Sequence, residues 1–204
     1  MGKEQAVLDH VMATAPKDDP DATIAAVDQF CSDGNPMMNL GAEKGRIVDV
    51  AIDNVAAQNV LELGSFFGYS ATRMANRIGA NGSLITIEAD PERHAVSRRM
   101  VEYAGLSNRV QLLHGKAEDV IPGLQGQFDL VLIDHYGKNY LPDLKLIETH
   151  GLLRAGSAVV ADNVVAHRPT VDSYLEHVRS SGCYRSTLNK VGGDGVEVSI
   201  WLAV

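Results

Sequence analysis

With 204 residues, 45% of them hydrophobic and 22% charged, the chain has the length and composition of one large globular domain with a substantial core. No apolar run approaches the roughly 20 residues of a membrane span, and the charged N-terminus lacks the apolar stretch of a signal peptide. A net charge of −8 without a basic cluster argues against nucleic acid as a partner, and two distant cysteines, Cys31 and Cys183, at no metal or redox spacing, point to a reducing cytoplasm.

The first part of the chain reads as helices. Residues 3–14 form one candidate. Asp19-Pro20-Asp21-Ala22 has the look of a capped start, with Ile24, Val27 and Phe30 as an inward stripe, and Gly34-Asn35-Pro36 ends that helix. A third is expected over 42–57, where Ile47, Val48, Ala51, Ile52 and Val55 recur at helical spacing. Short apolar runs then alternate with helical segments. The runs lie at 60–63, 84–87, 110–113, 130–133 and 158–161, and helices are expected near 70–79, 91–104, 117–123, 140–149 and 170–180. Continuous apolar strands separated by helices imply a parallel sheet covered on both faces. Segments 184–188 and 196–204, with only Gly192-Gly193-Asp194-Gly195 between them, read as a hairpin placing an antiparallel strand in the sheet. The whole is one doubly wound α/β domain, 1–204, with a mostly parallel sheet of seven strands, N-terminal helices and a C-terminal hairpin.

Ligands of such sheets bind beyond the carboxyl ends of the strands, so those ends carry the functional signal. After the first strand comes Glu62-Leu63-Gly64, then Gly68-Tyr69-Ser70, a turn unlike the Gly-x-Gly-x-x-Gly of a dinucleotide site. Either glycine can let backbone approach a ligand or take a positive φ. The second strand ends in Glu88, an acid suited to a ribose in NAD and adenosylmethionine enzymes alike. The third is followed by Gly115-Lys116-Ala117-Glu118-Asp119, where an acid can face an adenine amino group or simply favour a helix N-terminus. The fourth ends in Asp134-His135 and the fifth in Asp162-Asn163. Two carboxylates and an amide on neighbouring strand ends form an oxygen-only set suited to Mg²⁺, with His135 lining the cofactor pocket.

Together these residues resemble the catechol O-methyltransferase family of the class I, S-adenosylmethionine-dependent fold. The likeness runs from about residue 20 to 204. It rests on Met38-Asn39-Leu40-Gly41 with Lys44-Gly45, Leu61-Glu62-Leu63-Gly64, Gly68-Tyr69-Ser70, Ile85-Thr86-Ile87-Glu88 with Pro91, Tyr140-Leu141-Pro142-Asp143, Gly151-Leu152-Leu153 and Ala161-Asp162-Asn163-Val164. The resemblance implies an adenosylmethionine site. Met38 and Leu40 would close over the cofactor, and Gly64 and Tyr69 would belong to its turn. Glu62 and Ser70 would lie near its amino and carboxylate groups, and Glu88 and Ala89 at the ribose. Ala117, Glu118 and His135 would lie around the adenine, and Asp134 would also belong to the cofactor site. It also implies Mg²⁺ on Asp134, Asp162 and Asn163, and a small aromatic diol as substrate, with a monomer or homodimer as the assembly and no membrane partner.

The chain departs from the family at its substrate side. Gly137 stands at the position of the base lysine, one place before Lys138, which is expected to take the role. No acid lies near Leu188, where the family has a glutamate. Pro36 and Tyr136 replace two tryptophans and His167 a proline, so Asn163, Lys138, Tyr136, His167 and Pro36 are the expected substrate contacts. The expected activity is Mg²⁺-dependent methylation of one hydroxyl of a catechol-like molecule. The alternatives are a non-catalytic or differently specific methyltransferase-like protein with a rewritten rim, and an NAD-linked oxidoreductase.

Overall fold

The computed structural model describes residues 2–203. It opens with α1 (Lys3–Thr14), α2 (Pro20–Ser32) and α3 (Gly41–Val55). Asp19 caps α2 by accepting the Ala22 N–H at 2.9 Å, and Pro20 fills the first turn, where its missing N–H costs nothing. The third helix ends at Val55, short of the expected 57, because Ala56 takes a left-handed φ of 48° that closes it.

Strands and helices then alternate as β1 (Asn59–Leu63), α4 (Tyr69–Arg77), β2 (Ser83–Glu88), α5 (Pro91–Tyr103), β3 (Val110–His114) and α6 (Ala117–Val120) with a 3-10 turn (Ile121–Gly123). There follow β4 (Phe128–Ile133), a 3-10 turn (Gly137–Asn139), α7 (Tyr140–Thr149), β5 (Leu153–Ala161), α8 (Asp172–Ser180), β6 (Tyr184–Val191) and β7 (Asp194–Trp201). They build one seven-stranded sheet of order β3-β2-β1-β4-β5-β7-β6. Its first five strands pair in parallel, and β7 runs antiparallel to both β5 and β6. The order reverses between β1 and β4, where a doubly wound sheet opens a crevice.

The sheet also differs from the sequence expectation, at β5 and at the final hairpin. β5 begins at Leu153 rather than 158, and a register shift between Phe128 and Leu130 accommodates the extra length. The final hairpin turns on Gly192 and Gly193 alone, with Gly192 at φ 56°, so Asp194 and Gly195 already belong to β7 and pair with Val191 and Lys190. The last strand ends at Trp201; Val204, expected within it, lies outside the described residues.

Alternation along the strands divides the core. Val60, Leu130, Leu132, Ala158 and Val160 pack against α1–α5, whereas Leu61, Leu63, Val131, Ile133, Val159 and Ala161 pack against α7 and α8. The same period of two puts Glu62, Asp134 and Asp162 on the α1–α5 face, although a core strand of this kind is otherwise apolar.

Gly64, at the end of β1, has φ 97°, and a Cβ there would overlap the Asp134 carbonyl oxygen and lie 2.9 Å from its carbon. The close approach is therefore to the neighbouring strand end. Gly64→Ala is expected to cost at least about 3 kcal/mol, from left-handed strain plus overpacking against unyielding backbone. Denaturant titration checks this; a loss below about 1 kcal/mol would contradict it.

Candidate active site

A cavity of about 560 Å³ opens at the carboxyl ends of the central strands, large enough for a nucleoside-sized ligand. Gly64 from β1, Glu88 from β2, Asp134 from β4 and Asn163 after β5 all reach its wall. The Glu88 carboxylate also braces the glycine turn. Its Oε2 accepts the N–H groups of Ser65 (3.2 Å) and Phe66 (2.9 Å), and its Oε1 that of Asp90 (2.9 Å). Phe66 sits at φ 51°, a left-handed conformation held by this carboxylate. Gly68, the second glycine, packs against Ser97, where a Cβ would come within 2.9 Å of the hydroxyl.

Behind Asp134, which is half-buried at this wall, lie the buried acids Glu62 and Asp162. Glu62 is fully buried, and Thr86 donates to its Oε2 at 2.5 Å. Burial raises its pKa to about 7 against the opposing pull of the Ser70 and Thr86 hydroxyls, and its Oε1 has no partner among the described residues. Burial, reinforced by the neighbouring Asp162 charge, pushes Asp134 well above the usual carboxylate range, and its carboxylate accepts no hydrogen bond among the described residues. Asp162 is also raised by burial, which outweighs the Lys44 ammonium 2.7 Å from its Oδ1.

Lys44, on α3, lies equally close to Asp194, 2.7 Å from Oδ2. Burial works against its ammonium, but the two carboxylates outweigh that and raise its pKa. Asp194 is held low: burial opposes its charge, yet the Ala166 N–H, Lys44 and Asn163 prevail. His135 directs Nε2 to Asp143 Oδ2 at 2.6 Å, stacks on Tyr140, and keeps a buried Nδ1 without a partner among the described residues. No group of three or more His, Cys, Asp or Glu side chains suited to a metal occurs among the described residues. The candidate oxygen set is thus two carboxylates and the Asn163 amide, with the unpartnered Asp134 its most demanding member.

The family model described as O-methyltransferase matches residues 22–190. The chain is 39% identical to catechol O-methyltransferase B of Danio rerio, over 98% of this chain and 79% of the relative. It is also 39% identical to the catechol O-methyltransferase of Mus musculus, over 91% and 71% respectively. The chain belongs to the O-methyltransferase family. It is thereby an S-adenosylmethionine-dependent O-methyltransferase of the catechol O-methyltransferase type, and the oxidoreductase alternative falls away. In fold it is similar to an O-methyltransferase of Bacillus cereus solved in complex with SAH, with a TM-score of 0.78, 23% identity and coverage of 89% of this chain and 91% of that one.

In this O-methyltransferase the cavity wall gathers Met38, Leu40, Gly64, Tyr69, Ser70, Glu88, Ala89, Ala117, Asp134, His135, Tyr136, Asn163 and His167. Glu62 and Asp162 are buried and do not reach the wall. Pro36 is exposed away from it, and Glu118 points outward beside Lys116, 3.7 Å from its ammonium. Lys138 is exposed too, its ammonium 4.8 Å from the centre of the Tyr136 ring. Gly137 faces Thr170 so closely that a Cβ would sit 2.9 Å from the hydroxyl and 3.1 Å from Val171 Cγ1. Sequence reasoning missed Lys44 and Asp194 as partners of the acids. No sequence signal joined two residues 150 positions apart.

Proposed function

We propose that this enzyme moves a methyl group from S-adenosylmethionine to one hydroxyl of a catechol-like aromatic, with Mg²⁺ held by Asp134, Asp162 and Asn163. The observation that carries the reading is Asp134, a half-buried carboxylate at the cavity wall with no donor among the described residues and a second acid on the adjacent strand end. A hard dication fits that demand, because the atoms offered are all oxygen. Two neighbouring hydroxyls of a substrate would complete such a site, which favours a vicinal diol.

When bound, adenosylmethionine supplies an electrophilic methyl and Mg²⁺ lowers the pKa of the attacking hydroxyl. The chain's own residues bind and orient. Glu88 has one lone-pair site left, on Oε1, for a ribose hydroxyl. Ser70, with Glu62 behind it, takes the charged methionine end, while Met38 and Leu40 cover it. His135 and Ala117 flank the base. Asn163, Tyr136 and His167 surround the acceptor, and Lys138 takes its proton at Nζ after swinging off the Tyr136 ring. Much of the acceleration then comes from positioning and fixed charge. The free cysteines, Cys31 and Cys183, suit action in the cytoplasm, by a monomer or homodimer. Among the described residues no helix is long and apolar enough to cross a membrane.

Methylation of a panel of catechols, flavonoids and hydroxylated acids, with Mg²⁺ and with EDTA, tests the proposal. Activity on vicinal diols that EDTA abolishes is expected, and EDTA-insensitive turnover would overturn the metal role. Lys138→Ala is expected to lower kcat by roughly 10²–10⁴-fold with the cofactor Kd unchanged. An unchanged kcat would remove Lys138 as base. The exposed Lys138 and the filled Gly137 position favour a second reading, a related methyltransferase of different specificity, which activity on monohydroxyl acceptors alone would support.

A further inference from the structure

The loop after β5 and the head of β7 are joined through one carboxylate. Asp194 Oδ2 accepts from Lys44 Nζ at 2.7 Å and from Asn163 Nδ2 at 2.8 Å. Its Oδ1 accepts the backbone N–H groups of Val165 (3.2 Å) and Ala166 (2.9 Å). Lys44 in turn sits 2.7 Å from Asp162 Oδ1, and that same oxygen accepts the Asn163 N–H at 2.7 Å. The network thus ties α3, the end of β5 and the start of β7 around Asn163, whose backbone is left-handed at φ 56°.

Which atoms the network uses decides which remain. A carboxylate only accepts, so the Asn163 amide must turn its NH₂ toward Asp194 and its carbonyl oxygen away. Asp162 spends Oδ1 on Lys44 and on backbone, and its Oδ2 accepts no hydrogen bond among the described residues. Each residue therefore keeps one oxygen uncommitted. Partners behind a ligand in this way fix its orientation and are felt in metal affinity.

We infer that Asp194 and Lys44 are positioning residues. Asp194 selects the Asn163 rotamer that presents its carbonyl oxygen, and Lys44 turns Asp162 so that Oδ2 is the free atom. The inference rests on the reading of Asp162 and Asn163 as dication ligands. It assigns a task to an acid that the hairpin glycines disguised.

Titration of the full-length protein with Mn²⁺ alone, followed by electron paramagnetic resonance, tests it, with adenosylmethionine binding as a control for folding. Asp194→Ala is expected to weaken Mn²⁺ binding roughly 10–100-fold while the cofactor Kd stays within about twofold. Asn163→Ala should weaken it too, and the double variant should be no weaker than Asn163→Ala alone, because Asp194 acts through that amide. A merely structural Asp194 would instead add its own loss in the Asn163→Ala background, which would overturn the inference. So would an Asp194→Ala variant that binds Mn²⁺ like the wild type while Asp162→Ala and Asn163→Ala do not; that result leaves the metal reading standing. Wild type that binds no Mn²⁺, or ligand variants that bind it unchanged, would overturn the metal reading and the inference with it. Should Asp194→Ala fail to fold, Asp194→Asn keeps the volume and removes the charge, and the same loss in the same direction is expected.

Discussion

Asp162→Ala is expected to lower turnover about 10³-fold while the adenosylmethionine Kd changes by less than threefold. The split follows from where the carboxylate stands. Asp162 is 2% exposed, at the end of β5, and does not reach the wall that the cofactor would touch. On the proposed reading it is one of the two carboxylates that would hold Mg²⁺, and losing it removes roughly 4 kcal/mol of the help the metal would give at the reacting hydroxyl. Lys44 would keep Asp194 as its partner, so the fold should survive the change. Steady-state kinetics beside calorimetric cofactor titration reads both numbers. Equal loss of turnover and cofactor affinity would contradict the division of labour, and partial recovery at high Mg²⁺ would strengthen it.

The second large effect belongs to Glu62. In the cofactor-free protein its carboxyl keeps a proton up to about pH 7, whereas an unfolded glutamate releases it near 4.5. The folded state binds the extra proton between those values. Its contribution to stability is therefore present in full below about pH 4.5 and is lost as pH rises through 7, by on the order of 3 kcal/mol. An ammonium held at Ser70 on the cavity wall, with Glu62 behind it, would reverse the preference and expel the proton. Cofactor binding at pH 6 should then release protons, seen by calorimetry in buffers of different ionisation enthalpy, and affinity should rise toward pH 8. Glu62→Gln separates the two roles. It is expected to stabilise the free protein at pH 8 yet weaken cofactor binding roughly 10²-fold, about 3 kcal/mol, because a buried cation loses its counter-charge. Unchanged cofactor affinity in this variant would place Glu62 in the fold alone.

Most of the sheet was readable because its strands are buried on both faces and so appear as unbroken apolar runs. Residues 130–133 and 158–161 are of this kind, and the residues just beyond them are Asp134, Asp162 and Asn163. The start of β5 was not readable, since Arg154 and Gly156 interrupt its pattern and its pairing with β4 depends on a bulge. Asp194 was hidden for a different reason. Gly192-Gly193-Asp194-Gly195 has the composition of a loop, and only the two-residue turn pulls Asp194 back into β7 beside Asn163. Lys44 was visible as part of a segment near the cofactor, but its bonds to two acids depend on how α3 lies across the sheet, which no local pattern encodes. The direction of Lys138 is likewise a matter of side-chain packing on Tyr136 rather than of position along the chain.

The contact between Gly137 and Thr170 also constrains the order in which this protein could change. A lysine placed at 137 would bring its Cβ within 2.9 Å of the Thr170 hydroxyl and 3.1 Å of Val171 Cγ1, so the exposed Thr170 side chain would have to turn away to admit it. Trimming Thr170 first opens the path. The two sites are therefore coupled: what any side chain at 137 costs depends on the side chain that stands at 170.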